Sequence, residues 1–196
     1  ALFIGGSWLA ALDVAEGERW QQTGRRWLEN RAARLICSDG TFSQYSLNYH
    51  RVLLDTFCMV EVWRRQLELS PFSARWNERT KAATHWLHRM INPVNGDGPN
   101  LGANDGARLL QLTDSAYRDY RPCVQLAMAL FVEFRAYSSE GSWNHPLKWL
   151  GVVLPDTMAP QLGSNVADEG GFVTLRRGPA MALLHYPRFR FRPSQA

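Results

Sequence analysis

The hydrophobic period of this chain changes once, and that change constrains the fold more than any single motif. As far as Pro155, apolar side chains recur at helical spacing; from Gly171 onward they alternate. The clearest helix spans 47–69, where Tyr49, Val52, Leu53, Thr56, Val60, Trp63 and Leu67 form a stripe. Ser46 is placed to cap it, and Pro71 follows as a stop signal. Ser73 can cap a second helix, with Trp76, Thr80, Ala83, Leu87 and Met90 on one face and Pro93 at its end. Residues 15–37 read as a long amphipathic stretch with Trp20, Trp27, Ala33 and Leu35, closed by the turn Ser38-Asp39-Gly40. A short helix starts at Asp114 or Ser115, Pro122 opens a longer one through Ala136, and 144–150 is a further short one. The segment GGFVTLRRGPAMALLHYP then reads as a β-hairpin around Gly178-Pro179, with strands only after about Gly170. The order predicts a mainly α chain: a helical domain over 1–155, a linker over 156–170 and the first strands of a β domain over 171–196. One hairpin is marginal alone, so the natural protein is expected to continue.

Composition excludes several classes. With 45% hydrophobic and 20% charged residues the chain is not disordered. No apolar run reaches the ~18 residues of a bilayer span, so no membrane insertion is expected. The opening ALFIGGSWLAALD reads as a helix end, since no basic flank precedes it. Cys37, Cys58 and Cys123 are odd in number and far apart, which argues against a disulfide framework or a zinc site and for buried thiols. The net charge of +4 favours an anionic partner, yet the arginines are scattered and no basic run marks a nucleic-acid binder. No cofactor or metal is called for: His85 and His88 lie three apart but lack a third ligand and read as a solvated helix face.

Between the helices, residues 92–106 are dense in Gly, Asn, Asp and Pro and form a loop. A loop that long within a domain is usually functional. Its GDGPNLGANDGARLL, together with SDGTFSQYSLNYHRVLLD (38–55), DYRP (119–122), NHPLKWLG (144–151) and EGGFVTLRRG (169–178), resembles the heparinase II/III family of polysaccharide lyases. The segments follow the family's order over most of the chain. The resemblance implies an incomplete α/α toroid of antiparallel helix pairs followed by an antiparallel β-sandwich, and a periplasmic or secreted setting. It also implies further site residues on flanking segments at both ends, so that the 196-residue chain alone has no detectable lyase activity. The implied reaction is β-elimination on a uronate-containing acidic polysaccharide, such as a glycosaminoglycan or alginate.

That chemistry needs the uronate carboxylate neutralised, a base for the C5 proton and an acid for the departing O4. The resemblance assigns the acid–base role to Tyr49; the residue alone reads as a core tyrosine. As the third helical residue it lies at the positive end of the helix dipole. That favours a phenolate by only ~0.3–1 kcal/mol, so a nearby cation or the substrate must supply the rest. His50 either lines the site or is structural, and Asn48 either binds substrate or caps the helix. Asn100, Asn104 and Asp105 are candidates for sugar hydroxyls and Arg108 for a carboxylate, against the ordinary use of Asn and Asp in turns. Trp143 is the candidate for stacking on sugar. His145 caps or packs, and Tyr117 and Tyr120 either line the cleft or pack. Two other functions compete: a glycoside hydrolase, for which Asp39, Asp97 and Asp105 are the available loop acids, and a non-catalytic carbohydrate-binding or scaffold piece.

Overall fold

A computed structural model of the chain, described for residues 1–178 and 180–186, is mainly helical and ends in a small antiparallel sheet. Helices α1 (Leu2–Ala11) and α2 (Gly17–Leu35) pair antiparallel across three glycines. A Cβ at Gly6, Gly17 or Gly24 would each lie 2.3 Å from a backbone nitrogen of the facing helix, those of Gln21, Ala10 and Phe3. Only hydrogen fits at these crossings.

Helices α3 (Leu47–Gln66) and α4 (Ala74–Met90) start where their caps predict. Ser46 Oγ accepts from the Tyr49 amide at 3.2 Å, and Ser73 Oγ from that of Trp76 at 3.3 Å. In α4 the expected stripe of Trp76, Thr80, Ala83, Leu87 and Met90 is buried. The stripe of α3 is rotated from expectation: Tyr49, Val52, Leu53, Thr56, Trp63 and Leu67 are only half-buried, whereas Leu47, Leu54, Phe57 and Cys58 are buried. Asn48, His50, Arg51 and Asp55 are buried too, so a count of apolar residues alone misplaces the face. His88 is likewise buried rather than solvated, with its ring edge-on to Tyr137, while His85 is half-buried. All three cysteines are buried and free.

Two expected helices are altered. None forms at Asp114 or Ser115, where the Thr113 and Ser115 hydroxyls bond each other at 2.7 Å and both bond Ser142. Local side-chain bonding of this kind competes with helix formation. Helix α5 (Arg121–Ala127) continues as a π-helical turn (Met128–Val132) and stops at Glu133, which is left-handed at φ 63°, short of Ala136. Beyond it the amides of Ala136 and Tyr137 donate to Gln125 Oε1 on α5 itself at 2.9 and 3.2 Å. A 3₁₀ turn (Ser142–Asn144) leads into helix α6 (His145–Leu150).

The strands β1 (Asn165–Ala167), β2 (Phe172–Arg177) and β3 (Ala180–His185) form one antiparallel sheet in that order, with Phe172 opposite His185 and Arg177 opposite Ala180. Strand β1 lies inside the segment expected to be a linker, ahead of Gly170. Residues 187–196, the rest of the expected β domain, and Pro179 of the predicted turn lie outside the described residues. The sheet is fastened to the helices from two sides. The buried Phe172 ring stacks on His185 at 4.1 Å and meets Trp86 of α4 edge-on at 5.3 Å. Arg176 Nη2 donates to the carbonyls of Arg89 and Ile91, which close the C-terminal end of α4.

Candidate functional site

The first turn of α3 and the loop that crosses it bring the candidate residues together. The Leu47 amide donates to Leu101 O at 3.1 Å, and Ser46 Oγ, besides capping the helix, donates to Ala103 O at 2.6 Å. Gly102 permits that approach: its φ is 68°, and a Cβ there would lie 2.5 Å from Tyr45 O. The loop therefore delivers Asn104 and Asp105 to the helix start.

Asp105 is the acceptor at the centre of the surface cluster. Its Oδ2 accepts from the Tyr49 hydroxyl at 2.6 Å, and its Oδ1 from the Ala107 amide at 3.1 Å and Asn48 Nδ2 at 3.4 Å. The Tyr49 hydrogen bond, followed by that of the Ala107 amide, holds the Asp105 carboxyl below its usual range. The single hydrogen of the Tyr117 hydroxyl is shared between Asn48 Oδ1 at 2.8 Å and Asn104 Oδ1 at 2.5 Å. Asn104 and Asp105 are exposed, and Tyr49 and Tyr117 half-buried.

Beneath them lies Arg51, buried and central to the packing. Its guanidinium donates to Asn48 Oδ1 at 2.7 Å, Tyr117 O at 2.6 Å and Ala107 O at 3.2 Å. It also sits 4.5 and 4.6 Å from the ring centroids of Tyr117 and Tyr120. Deeper still, Asp55 accepts from the Leu110 amide at 3.3 Å. Burial pushes its carboxyl up to about 6, opposed by Cys123, that amide, and the charges of Arg51 and Arg108.

The candidates read from sequence thus separate. Asn48, Tyr49, Asn104 and Asp105 converge. Asn48 is buried and spent on Arg51, Tyr117 and Asp105, and Ser46 is the cap. Asn100 is exposed on the same loop, outside this network. Arg108 is half-buried and donates to Ser115 O at 3.0 Å; burial lowers its pKa. His50 faces the other way. It is buried under α4, its Nε2 is 2.9 Å from Ala83 O, and its ring stacks on Trp86 at 4.5 Å, so it does not share the Tyr49 cluster. Trp143 is half-buried rather than free to stack: the Arg121 guanidinium lies 4.1 Å from its ring centroid and its Nε1 donates to Ser139 O. His145 pairs loosely with Asp114 at 3.6 Å.

Two features escaped sequence reasoning. Arg51 holds the cluster from below, together with Tyr117, which the sequence offered as lining the cleft or packing; an arginine in a helix carries no pattern that announces this. Asp39 also meets Glu169, from the far end of the chain: one ligand atom each of these two and of Cys37 lie within 4.8 Å of one another. Both carboxylates already bind backbone, Asp39 the amides of Thr41 and Gly170, and Glu169 that of Ser38. Asp97, the remaining loop acid, pairs with Arg118 at 2.7 Å.

No helix among the described residues is long and apolar enough to cross a membrane. No protein-family model, curated protein or solved structure matches the chain.

Proposed function

We propose that the chain carries the tyrosine-bearing part of a β-eliminating site in a polysaccharide lyase of the heparinase II/III type, acting on a uronate-containing acidic polymer. The observation that carries the reading is the open cluster of Tyr49, Asn104 and Asp105, formed where two of the resembling segments meet. Tyr49 is the acid–base group, and the exposed Asn104 is placed to meet the sugar's polar groups. The net charge of +4 favours a polyanion at long range. The helical array is read as part of an α/α toroid and the small sheet as the start of a β-sandwich. Further site residues are assigned to flanking segments by the resemblance.

The test has two arms. Uronate oligosaccharides, sulfated and unsulfated, are titrated into the isotope-labelled chain, and amide shifts should concentrate in residues 46–49 and 101–107. A polypeptide that also carries the flanking segments should release 4,5-unsaturated uronate, detected by its ultraviolet absorbance. Shifts without unsaturated product would favour a carbohydrate-binding role, and reducing ends without unsaturation a hydrolase. Neither shifts nor product with any uronate polymer would overturn the proposal.

A further inference from the structure

A phenolate at Tyr49 would need a cation beside it. The structure brings an anion to its hydroxyl. The group on the Tyr49 hydroxyl is the Asp105 carboxylate at 2.6 Å. An anion in that place disfavours a second negative charge on the phenol and accepts its hydrogen. The buried Arg51 guanidinium is held on Asn48, Tyr117 O and Ala107 O. The carboxylate itself is fixed from two further directions, by the Ala107 amide and by Asn48 Nδ2, so its orientation does not depend on Tyr49.

We infer that Asp105 is the positioning residue of Tyr49: it keeps the phenol neutral with its hydrogen committed to Oδ2, and takes that hydrogen as the phenolic oxygen accepts another from the substrate. The proton steps rest on the lyase reading; the pairing does not. As the C5–H bond breaks, its proton bonds to Tyr49 Oη and its electron pair enters the developing enolate, while the former phenolic proton passes to Asp105 Oδ2. The enolate electrons then form the C4–C5 double bond, and the C4–O4 pair leaves with oxygen. O4 takes a proton from Tyr49 as Asp105 returns its own. The net change is transfer of the C5 proton to O4, with both side chains restored. A carboxylate with three hydrogen-bond donors around it holds the proton only in passing, which suits a group that must give it back.

Tyrosine labelled at Cζ reports the pairing directly. The chain has six tyrosines, and Tyr49→Phe assigns the signal. Asp105→Asn keeps an Oδ1 acceptor for the Ala107 amide and removes the charge. The alkaline titration of the Tyr49 ring should then move to lower pH, with the other rings unchanged. A ring that titrates identically in both proteins would overturn the inference. In a uronate-active polypeptide, Asp105→Asn should lower kcat by ~10²-fold, the usual scale of one proton-transfer partner. Asp105→Glu should recover part of that loss, and the double variant with Tyr49→Phe should be little worse than either single one. Near-normal kcat in Asp105→Asn would also overturn the relay. A shifted titration with no uronate turnover in any variant or in the parent would leave the pair standing and remove the lyase reading instead.

Discussion

Acid should destabilise this protein by charging two buried histidines, and His50 allows the effect to be isolated. His50 is 1% exposed, and burial pulls its pKa from 6.5 to about 4 against the opposing Ala83 hydrogen bond. For a base whose folded pKa is depressed, the unfolded chain binds more protons at acid pH. Its contribution to stability is therefore full above 6.5 and drains as pH falls from there through about 4. At ~1.4 kcal/mol per unit, His50 alone accounts for a loss on the order of 3 kcal/mol. His88 behaves alike, lowered to about 4 by burial first and then by His85, Arg176 and Arg89. Asp55 runs the other way. Burial raises it from 3.8 to about 6, so its contribution is full below 3.8 and is lost as pH rises through about 6. Between about pH 4 and 6 it offsets roughly one of the two histidines, leaving a net slope of about 1.4 kcal/mol per unit. Urea unfolding at steps from neutral pH to about 4 should show that slope. In His50→Gln, which keeps an amide donor for Ala83 O, the acid loss should shrink by most of the His50 share. Parallel stability curves for the two proteins would refute the reasoning, as would a His50 imidazole that titrates near its ordinary value.

Ser46→Ala removes both the cap of α3 and the hydroxyl on Ala103 O, and should cost about 1–2 kcal/mol in urea unfolding; a loss under a few tenths would mean that another group caps the helix. Tyr49→Phe removes only a half-exposed hydroxyl, so stability should stay within ~0.5 kcal/mol. In a uronate-active polypeptide the same change should reduce turnover by at least ~10²-fold, and unaltered product release would reject the acid–base role. Arg51→Lys should be poorly tolerated, at about 2–3 kcal/mol by thermal or urea unfolding, because an ammonium cannot span Asn48, Tyr117 O and Ala107 O while stacking on two rings.

Local signals were readable wherever one residue's chemistry decides a local structure. Ser46 and Ser73 named the starts of α3 and α4, and the alternating FVTLRR named β2. Where distant partners decide, the sequence was silent. The helix expected to run through Ala136 ends early because Gln125 captures the amides that follow, a contact without local signature. The close pairing of α1 and α2 is written in Gly6, Gly17 and Gly24, but glycines in a helical pattern read as weaknesses until the facing backbone is known. In the site, Tyr49, Asn48, Asn104 and Asp105 were nameable from the loop's composition and the resemblance. Their order of importance was not. Asp105 read as one turn-forming acid among several, and only its bond to Tyr49 sets it apart.

The four residues 48–51 illustrate why neighbours in sequence diverge in role. Successive helical side chains point about 100° apart, so one turn of α3 distributes them between loop and core. Asn48 and Arg51, three apart, share a side and bond each other beneath the loop. His50 points into α4, where burial beside Trp86 holds it neutral against the pull of the Ala83 O hydrogen bond. Tyr49 is left at the rim, where its hydroxyl meets a carboxylate brought by a glycine-dependent loop. Function and stability are thereby separable along four consecutive positions. Changes at His50 and Arg51 should register in unfolding, and changes at Tyr49 and its partner Asp105 in ring titration and turnover. A stability loss at Asp105→Asn as large as that at Arg51→Lys would mean that the surface cluster is built for folding rather than for chemistry.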